Sequence, residues 1–210
     1  MKLLDENFGR LLAGGARFVS GTSAQWVNCT PSERPRAYFA NHASHLDLLV
    51  IWASLPRGVR RLTRPLAARD YWEQTPFRRY VAQRVFNSIY LDRVGPDVSA
   101  RTAFLSLRNA VQELGDKYSV ILFPEGTRGD GENIAEFKPG LFYIAENKPG
   151  MEFVPVYLEN LNRILPKGSF VPIPIISSIS FGEPLVLDRQ ERKSDFLERA
   201  REAVLALKNR

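Results

Sequence analysis

Very little in this chain is suited to disulfide, metal or serine-hydrolase chemistry. It has one cysteine, Cys29, which excludes an intrachain disulfide framework and any zinc cluster built on cysteines. It has two histidines, His42 and His45. Their spacing would let them share a metal, but no third ligand accompanies them at motif spacing, so no metal is expected. Long apolar runs are also missing. No stretch approaches the roughly 20 residues needed to cross a bilayer, and the N-terminus lacks the apolar core and cleavage site of a signal peptide. A Gly-x-Ser-x-Gly elbow is absent, so no serine nucleophile of that kind is available. Helix-turn-helix, zinc-finger and RNP-type patterns are absent too, so nucleic acid is not an expected partner.

What is present suits a folded α/β domain. Apolar residues make up 44% of the chain, enough for one sizeable core. The net charge of +6 favours anionic partners, phosphate groups or an acidic lipid surface. With no transmembrane helix expected, the reading is a cytoplasmic protein, peripheral on the inner face of the cell membrane.

Residues 1–35 form an amphipathic lead-in, with a helix over 6–20. A catalytic core over 36–185 follows, then a C-terminal helix over 194–209. Within the core, 36–40, 85–91, 119–123, 153–158 and 175–181 read as strands. Pro155 would put its strand at an edge or bulge. The stretches 46–55, 98–114 and 141–147 read as helices, the second with Phe104, Leu107, Val111 and Leu114 on one face and Gly115 at its C-cap. Ser194 or Asp195 would cap the last helix. Residues 164–176 are proline-broken. Strands alternating with helices predict one domain with a central mixed, largely parallel sheet flanked by helices.

Two polar clusters follow apolar strands. Asn41-His42-Ala43-Ser44-His45-Leu46-Asp47 places an imidazole five positions before a carboxylate. If the chain turns from strand to helix between them, Asp47 can fix the tautomer of His42 and stabilise its protonated form, making His42 a general base. With no serine elbow, the nucleophile would be the substrate's own hydroxyl. Alone, the pattern also fits a hydrogen-bonded histidine near a helix start.

The second cluster is Phe123-Pro124-Glu125-Gly126-Thr127-Arg128-Gly129. Gly126 permits close backbone approach to a ligand. Thr127 offers a hydroxyl and Arg128 a planar fork for phosphate oxygens. Glu125 would accept a hydrogen bond from a substrate hydroxyl or pin Arg128. Taken alone, the same residues fit a surface turn with a local ion pair. Arg93, at the end of Ser88-Ile89-Tyr90-Leu91-Asp92-Arg93, and Lys138, in Phe137-Lys138-Pro139-Gly140, would converge with Arg128 on one phosphate.

These blocks, with Val154-Pro155-Val156, lie in the order of the glycerolipid acyltransferase family, which the chain resembles over roughly residues 38–158. The resemblance is to the lysophosphatidic acid acyltransferase type. It implies a glycerol-3-phosphate acyltransferase-like fold and acyl transfer from a thioester, acyl-CoA or acyl carrier protein, to a lysophospholipid hydroxyl. The implied acceptor is 1-acyl-glycerol-3-phosphate, giving phosphatidic acid, and no prosthetic cofactor is implied. Carried over by position, His42 is the base and Asp47 its partner, while Arg93, Glu125, Gly126, Thr127, Arg128 and Lys138 bind the acceptor's glycerophosphate. Backbone N–H groups at the start of the helix after His42 would steady the oxyanion.

Two departures stand out. Asn87 occupies a position where the second block often has glycine. Only 41 residues precede His42, fewer than in many relatives, so membrane contact is expected from the arginine-rich, aromatic-interleaved stretch 57–84 and the N-terminal helix. Other readings are an acyltransferase for glycerol-3-phosphate or another lysolipid, and a non-catalytic basic protein binding lipid or nucleic acid.

Overall fold

Residues 36–40 are apolar after Arg36, with no polar alternation, as expected of a strand covered on both faces. In the computed structural model they form β2 (Arg36–Ala40), and all five residues are buried. Tyr38 and Ala40 face a cluster built with Leu48, Ile51 and Trp52. Ala37 and Phe39 face the opposite cluster, with Leu141, Phe153 and Phe196. The structure describes residues 2–21, 23–44, 46–161 and 177–208. His45 and the proline-broken stretch 164–176 lie outside them.

The sheet has seven strands: β1 (Ser23–Trp26), β2, β3 (Thr63–Ala68), β4 (Ile89–Leu91), β5 (Ser119–Leu122), β6 (Glu152–Glu159) and β7 (Ser178–Phe181). Their spatial order is β1-β7-β6-β2-β5-β3-β4. Among the described strands, only the β6–β7 pairing is antiparallel. Strands β2 to β6 therefore all end at one edge, the edge where doubly wound sheets bind ligands. Helices α1 (Lys2–Ser20) and α2 (Asp47–Ser54) cover one face. Helices α6 (Ala100–Leu114), α7 (Gly140–Asn147) and α8 (Lys193–Leu205) cover the other. Three short helices, α3 (Arg57–Arg61), α4 (Arg69–Trp72) and α5 (Pro76–Tyr80), link β2 to β4 through β3. The expected sheet, largely parallel and flanked by helices, is the one observed.

Several local expectations change. The stretch from Val85 begins not as strand but at the end of a π-helical turn, Val81–Val85, and β4 starts only at Ile89. Asn87 joins the two with a φ of 52°. That left-handed backbone suits glycine best and asparagine next, which accounts for the exchange at this position. Strands β1 and β3 add to the expected set; Arg64 and Pro65 interrupt the apolar pattern of β3. Phe104 stands half exposed, outside the buried face of α6 formed by Ala110, Val111 and Leu114. Ser99 caps α6 by accepting from the Thr102 N–H, and Gly115 ends it at φ 62°. The N-cap of α8 is Arg192, with no side-chain cap, rather than Ser194 or Asp195.

Pro155 is the clearest correction. It sits inside the sheet, paired with Phe39 of β2, not at an edge. A strand residue turns its N and its carbonyl oxygen to the same side, and the Pro155 oxygen accepts from the N–H of Gly182, just past the end of β7. The missing donor therefore faces β7 where the ladder is already ending, so little pairing is lost. Gly182 makes this possible: a Cβ there would lie 2.9 Å from Pro155 Cγ and 3.1 Å from Leu207 Cδ1. Gly182→Ala should therefore lower folding stability by about 1–3 kcal/mol through overpacking. A urea midpoint equal to that of the parent chain would remove this account of the proline.

Candidate active site

The site begins where β2 stops. Asn41 is buried and pairs with the β6 backbone through its side chain: Nδ2 donates to Leu158 O at 3.0 Å, and Oδ1 accepts from Leu158 N at 2.8 Å. The amide thus extends the ladder by one rung while the main chain turns away. His42 follows at the ligand-binding edge. The motif alone assigns Asn41 no role; its place directly after an apolar strand is the signal that could have revealed one.

Asp47 is the first residue of α2 and is fully buried. Its Oδ2 accepts three hydrogen bonds, from His42 Nδ1 at 2.8 Å, Ala43 N at 2.7 Å and Ser44 N at 2.8 Å. An ionised carboxylate only accepts, so Nδ1 carries the proton and Nε2 keeps its lone pair. The start of a helix also favours a negative charge at this position. The imidazole lies on Phe123, centroids 4.1 Å apart with 18° between planes, and its side chain remains 21% exposed. One ring face is packed, one nitrogen is bound, and Nε2 points away from Asp47. The amides of Ala43 and Ser44, which precede α2, are bound to Asp47.

The second cluster follows β5, the strand beside β2. Glu125 is 4% exposed. Its Oε1 accepts from the His42 N–H at 2.8 Å and its Oε2 from the Ala135 N–H at 3.0 Å. The Gly129 N–H donates to His42 O at 2.8 Å. Both backbone groups of His42 are therefore held by the 125–129 loop. That loop is closed further on by Asp130, whose carboxylate accepts from Glu132 N and Asn133 N, and these amides hold it below the usual aspartate range. Gly126 has φ 73°, and a Cβ there would lie 2.7 Å from Lys138 Nζ. The ammonium thus lies over the glycine, a closeness no other residue type permits. Thr127 and Arg128 are exposed on the same turn.

Arg93 is farther off. It follows β4, three strand positions from β2, a lateral spacing of about 14 Å. Its guanidinium pairs with Asp70 Oδ2 at 2.6 Å, while Arg69 pairs with Asp92 at 2.9 Å. These reciprocal bridges join the ends of β3 and β4. The pair is half exposed and contributes little to stability, so the guanidinium can exchange Asp70 for another anion. The structure brings His42, Asp47, Glu125, Gly126 and Lys138 together, leaves Thr127 and Arg128 at the rim, and holds Arg93 on a carboxylate to one side.

The chain is similar to several known acyltransferases. A 1-acyl-sn-glycerol-3-phosphate acyltransferase of Limnanthes alba is 25% identical over 183 residues, covering 86% of this chain and 61% of that protein. One from Chlamydomonas reinhardtii is 29% identical over 159 residues, 74% of this chain and 43% of that protein. Lysophosphatidylcholine acyltransferase 2 of Rattus norvegicus is 27% identical over 136 residues, 64% of this chain and 22% of that protein. The chain spans about three-fifths of the Limnanthes protein's length and less of the other two. The crystal structure of the 1-acyl-sn-glycerophosphate acyltransferase PlsC from Thermotoga maritima superposes with a TM-score of 0.75 at 19% identity, over 97% of this chain and 78% of that one, which shows a shared fold. The model of the Acyltransferase family matches residues 27–159, from the end of β1 to the end of β6 and including both polar clusters, and the chain belongs to that family.

Proposed function

We propose that this protein moves an acyl group from a thioester, acyl-CoA or acyl carrier protein, to the free hydroxyl of a lysophospholipid. The preferred acceptor is 1-acyl-glycerol-3-phosphate, and the product is phosphatidic acid. The observation that carries this reading is the Asp47-bound, partly exposed imidazole of His42 at the ligand-binding edge, with the Lys138 ammonium and the Gly126–Arg128 turn on the adjoining strand end. The relatives' names, three of them specifying the glycerophosphate acceptor, support the same choice.

In this mechanism Nε2 of His42 takes the acceptor's hydroxyl proton as that oxygen bonds to the thioester carbonyl carbon. Asp47 stabilises the imidazolium that forms. The tetrahedral intermediate collapses, the carbon–sulfur bond breaks, and the leaving thiolate recovers the proton from Nε2. Arg128, Thr127 and Lys138 take the phosphate of the acceptor, with Arg93 reaching in after leaving Asp70. Glu125 acts differently. Its two oxygens already hold His42 N and Ala135 N, so it positions the base instead of binding substrate. We place the protein at the inner face of the cell membrane, where such an acceptor resides.

Incubating the purified protein with an acyl-CoA and a panel of lysolipids, read by mass spectrometry, tests the substrate assignment. Phosphatidic acid should dominate; a diacyl phosphatidylcholine product would move the assignment to the other acceptor class represented among the relatives. His42→Ala should lower kcat by on the order of 10²–10⁴ or more, with melting lowered because buried Asp47 loses one of its three donors; undiminished turnover would remove the base. Glu125→Gln places an amide NH₂ against one of two backbone donors. It should cost about 1–3 kcal/mol of stability and lower kcat while the acceptor KM holds. A raised KM with unchanged kcat would make Glu125 a substrate contact.

A further inference from the structure

A cavity of about 750 Å³ lies at the edge of the sheet opposite His42. Thr63, the first residue of β3, and Asn87, just before β4, both line it. Its walls come from α1, α3 and the π-helical turn, and the buried rings of Trp52 and Phe86 form its floor. Strands β2, β5, β3 and β4 run parallel, so these residues mark N-terminal strand ends, whereas His42 follows the C-terminal end of β2. The six residues of β3 alone span roughly 20 Å. The cavity is therefore a second site, apart from the turn at Gly126, and its volume falls within the range of small-molecule sites.

Five arginines against two carboxylates line it, an excess of three positive charges. Glu6 alone answers three guanidiniums: Arg61 at 2.7 Å, Arg57 at 3.5 Å and Arg10 at 4.0 Å. Asp5 takes Arg84 at 3.1 Å. Arg60 has no carboxylate partner among the described residues. Its guanidinium rests 4.8 Å from the centroid of the Trp52 ring. It donates to Ala53 O at 3.5 Å, an oxygen that already accepts from Arg17 at 2.7 Å. Burial, with Arg17 and Arg57 nearby, lowers its pKa. A half-buried cation without a counter-ion is costly, and apolar walls strengthen its attraction for an anion.

We propose that this cavity binds a small diphosphate-bearing anion, with Arg60 beneath it and Arg57 and Arg61 closing on its outer oxygens. A single phosphate brings about two negative charges. A diphosphate brings more, and its two sets of oxygens suit guanidiniums at both floor and rim. An acidic protein surface would reach Arg57 and Arg61, which are half exposed, but not Arg60 on the cavity floor. The same chemistry occurs in a free nucleotide and in the nucleotide end of coenzyme A. The ligand is held at the far edge of the sheet, so this site stands whether or not the proposed acyl transfer does.

Calorimetric titration of the whole chain with pyrophosphate tests this. Pyrophosphate should bind and raise the melting temperature. Arg60→Gln should weaken binding by at least about tenfold, and each of Arg57→Ala and Arg61→Ala by about fivefold. Lys138→Ala, at the opposite edge, should leave this binding in place. Where Arg60→Gln fails to fold, the two variants at exposed positions decide the question. ADP and coenzyme A distinguish the sources. Tighter binding of coenzyme A than of ADP, with a raised acyl-CoA KM in Arg61→Ala, assigns the cavity to the thioester donor; equal binding with that KM unchanged assigns it to a free nucleotide. No pyrophosphate binding, binding indifferent to the arginine variants, or binding lost in Lys138→Ala would overturn the proposal. Pyrophosphate binding here by a protein that acylates no lysolipid would overturn the proposed function and leave this site standing.

Discussion

One buried carboxylate oxygen organises the site. Oδ2 of Asp47 gathers the His42 ring and the amides of Ala43 and Ser44. Removing a charge from water is costly unless donors surround it; these three donors on Oδ2 offset part of that cost, while Oδ1 is buried with no hydrogen-bond partner among the described residues. In doing so they fix the turn between β2 and α2, the tautomer of the ring and the direction of Nε2. The same bonds that make Asp47 tolerable inside the protein make His42 a usable base.

The rest of the fold serves that turn. Strands β2 and β5 are neighbours, so the loops at their ends meet. Glu125 and Gly129 then take up the N–H and carbonyl of His42. Asn41 secures the β6 side of the same strand end. His42 is thus held through its ring by the start of α2 and through its amide and carbonyl by the 125–129 loop, leaving one ring nitrogen and part of one edge for substrate. Such over-determination keeps a catalytic group within the narrow tolerance that proton transfer demands.

Much of this is legible in the sequence, and the exceptions have physical reasons. The strand over 36–40 and the helix after it follow from apolar runs ended by polar residues. The His42–Asp47 pairing follows from spacing alone. The role of Glu125 does not, because a carboxylate in a turn looks the same whether it faces substrate or two backbone amides. Nor does the interior place of Pro155, which depends on Gly182, 27 positions away and without a side chain. Strand β3 is hidden because Arg64 lays its side chain across the sheet edge, bonding Asn87 O and Glu113. The π-helical turn is hidden because its apolar residues fit strand and helix equally well.

The most direct test is the protonation of the His42 ring. With two histidines in the chain, the nitrogen-15 spectrum of labelled protein holds two rings, and His45→Gln identifies the other. Neutral His42 should carry its proton on Nδ1, the nitrogen facing Asp47, with Nε2 bare. A His42 ring protonated on Nε2 at neutral pH would contradict the assignment of His42 as the Asp47-steadied base.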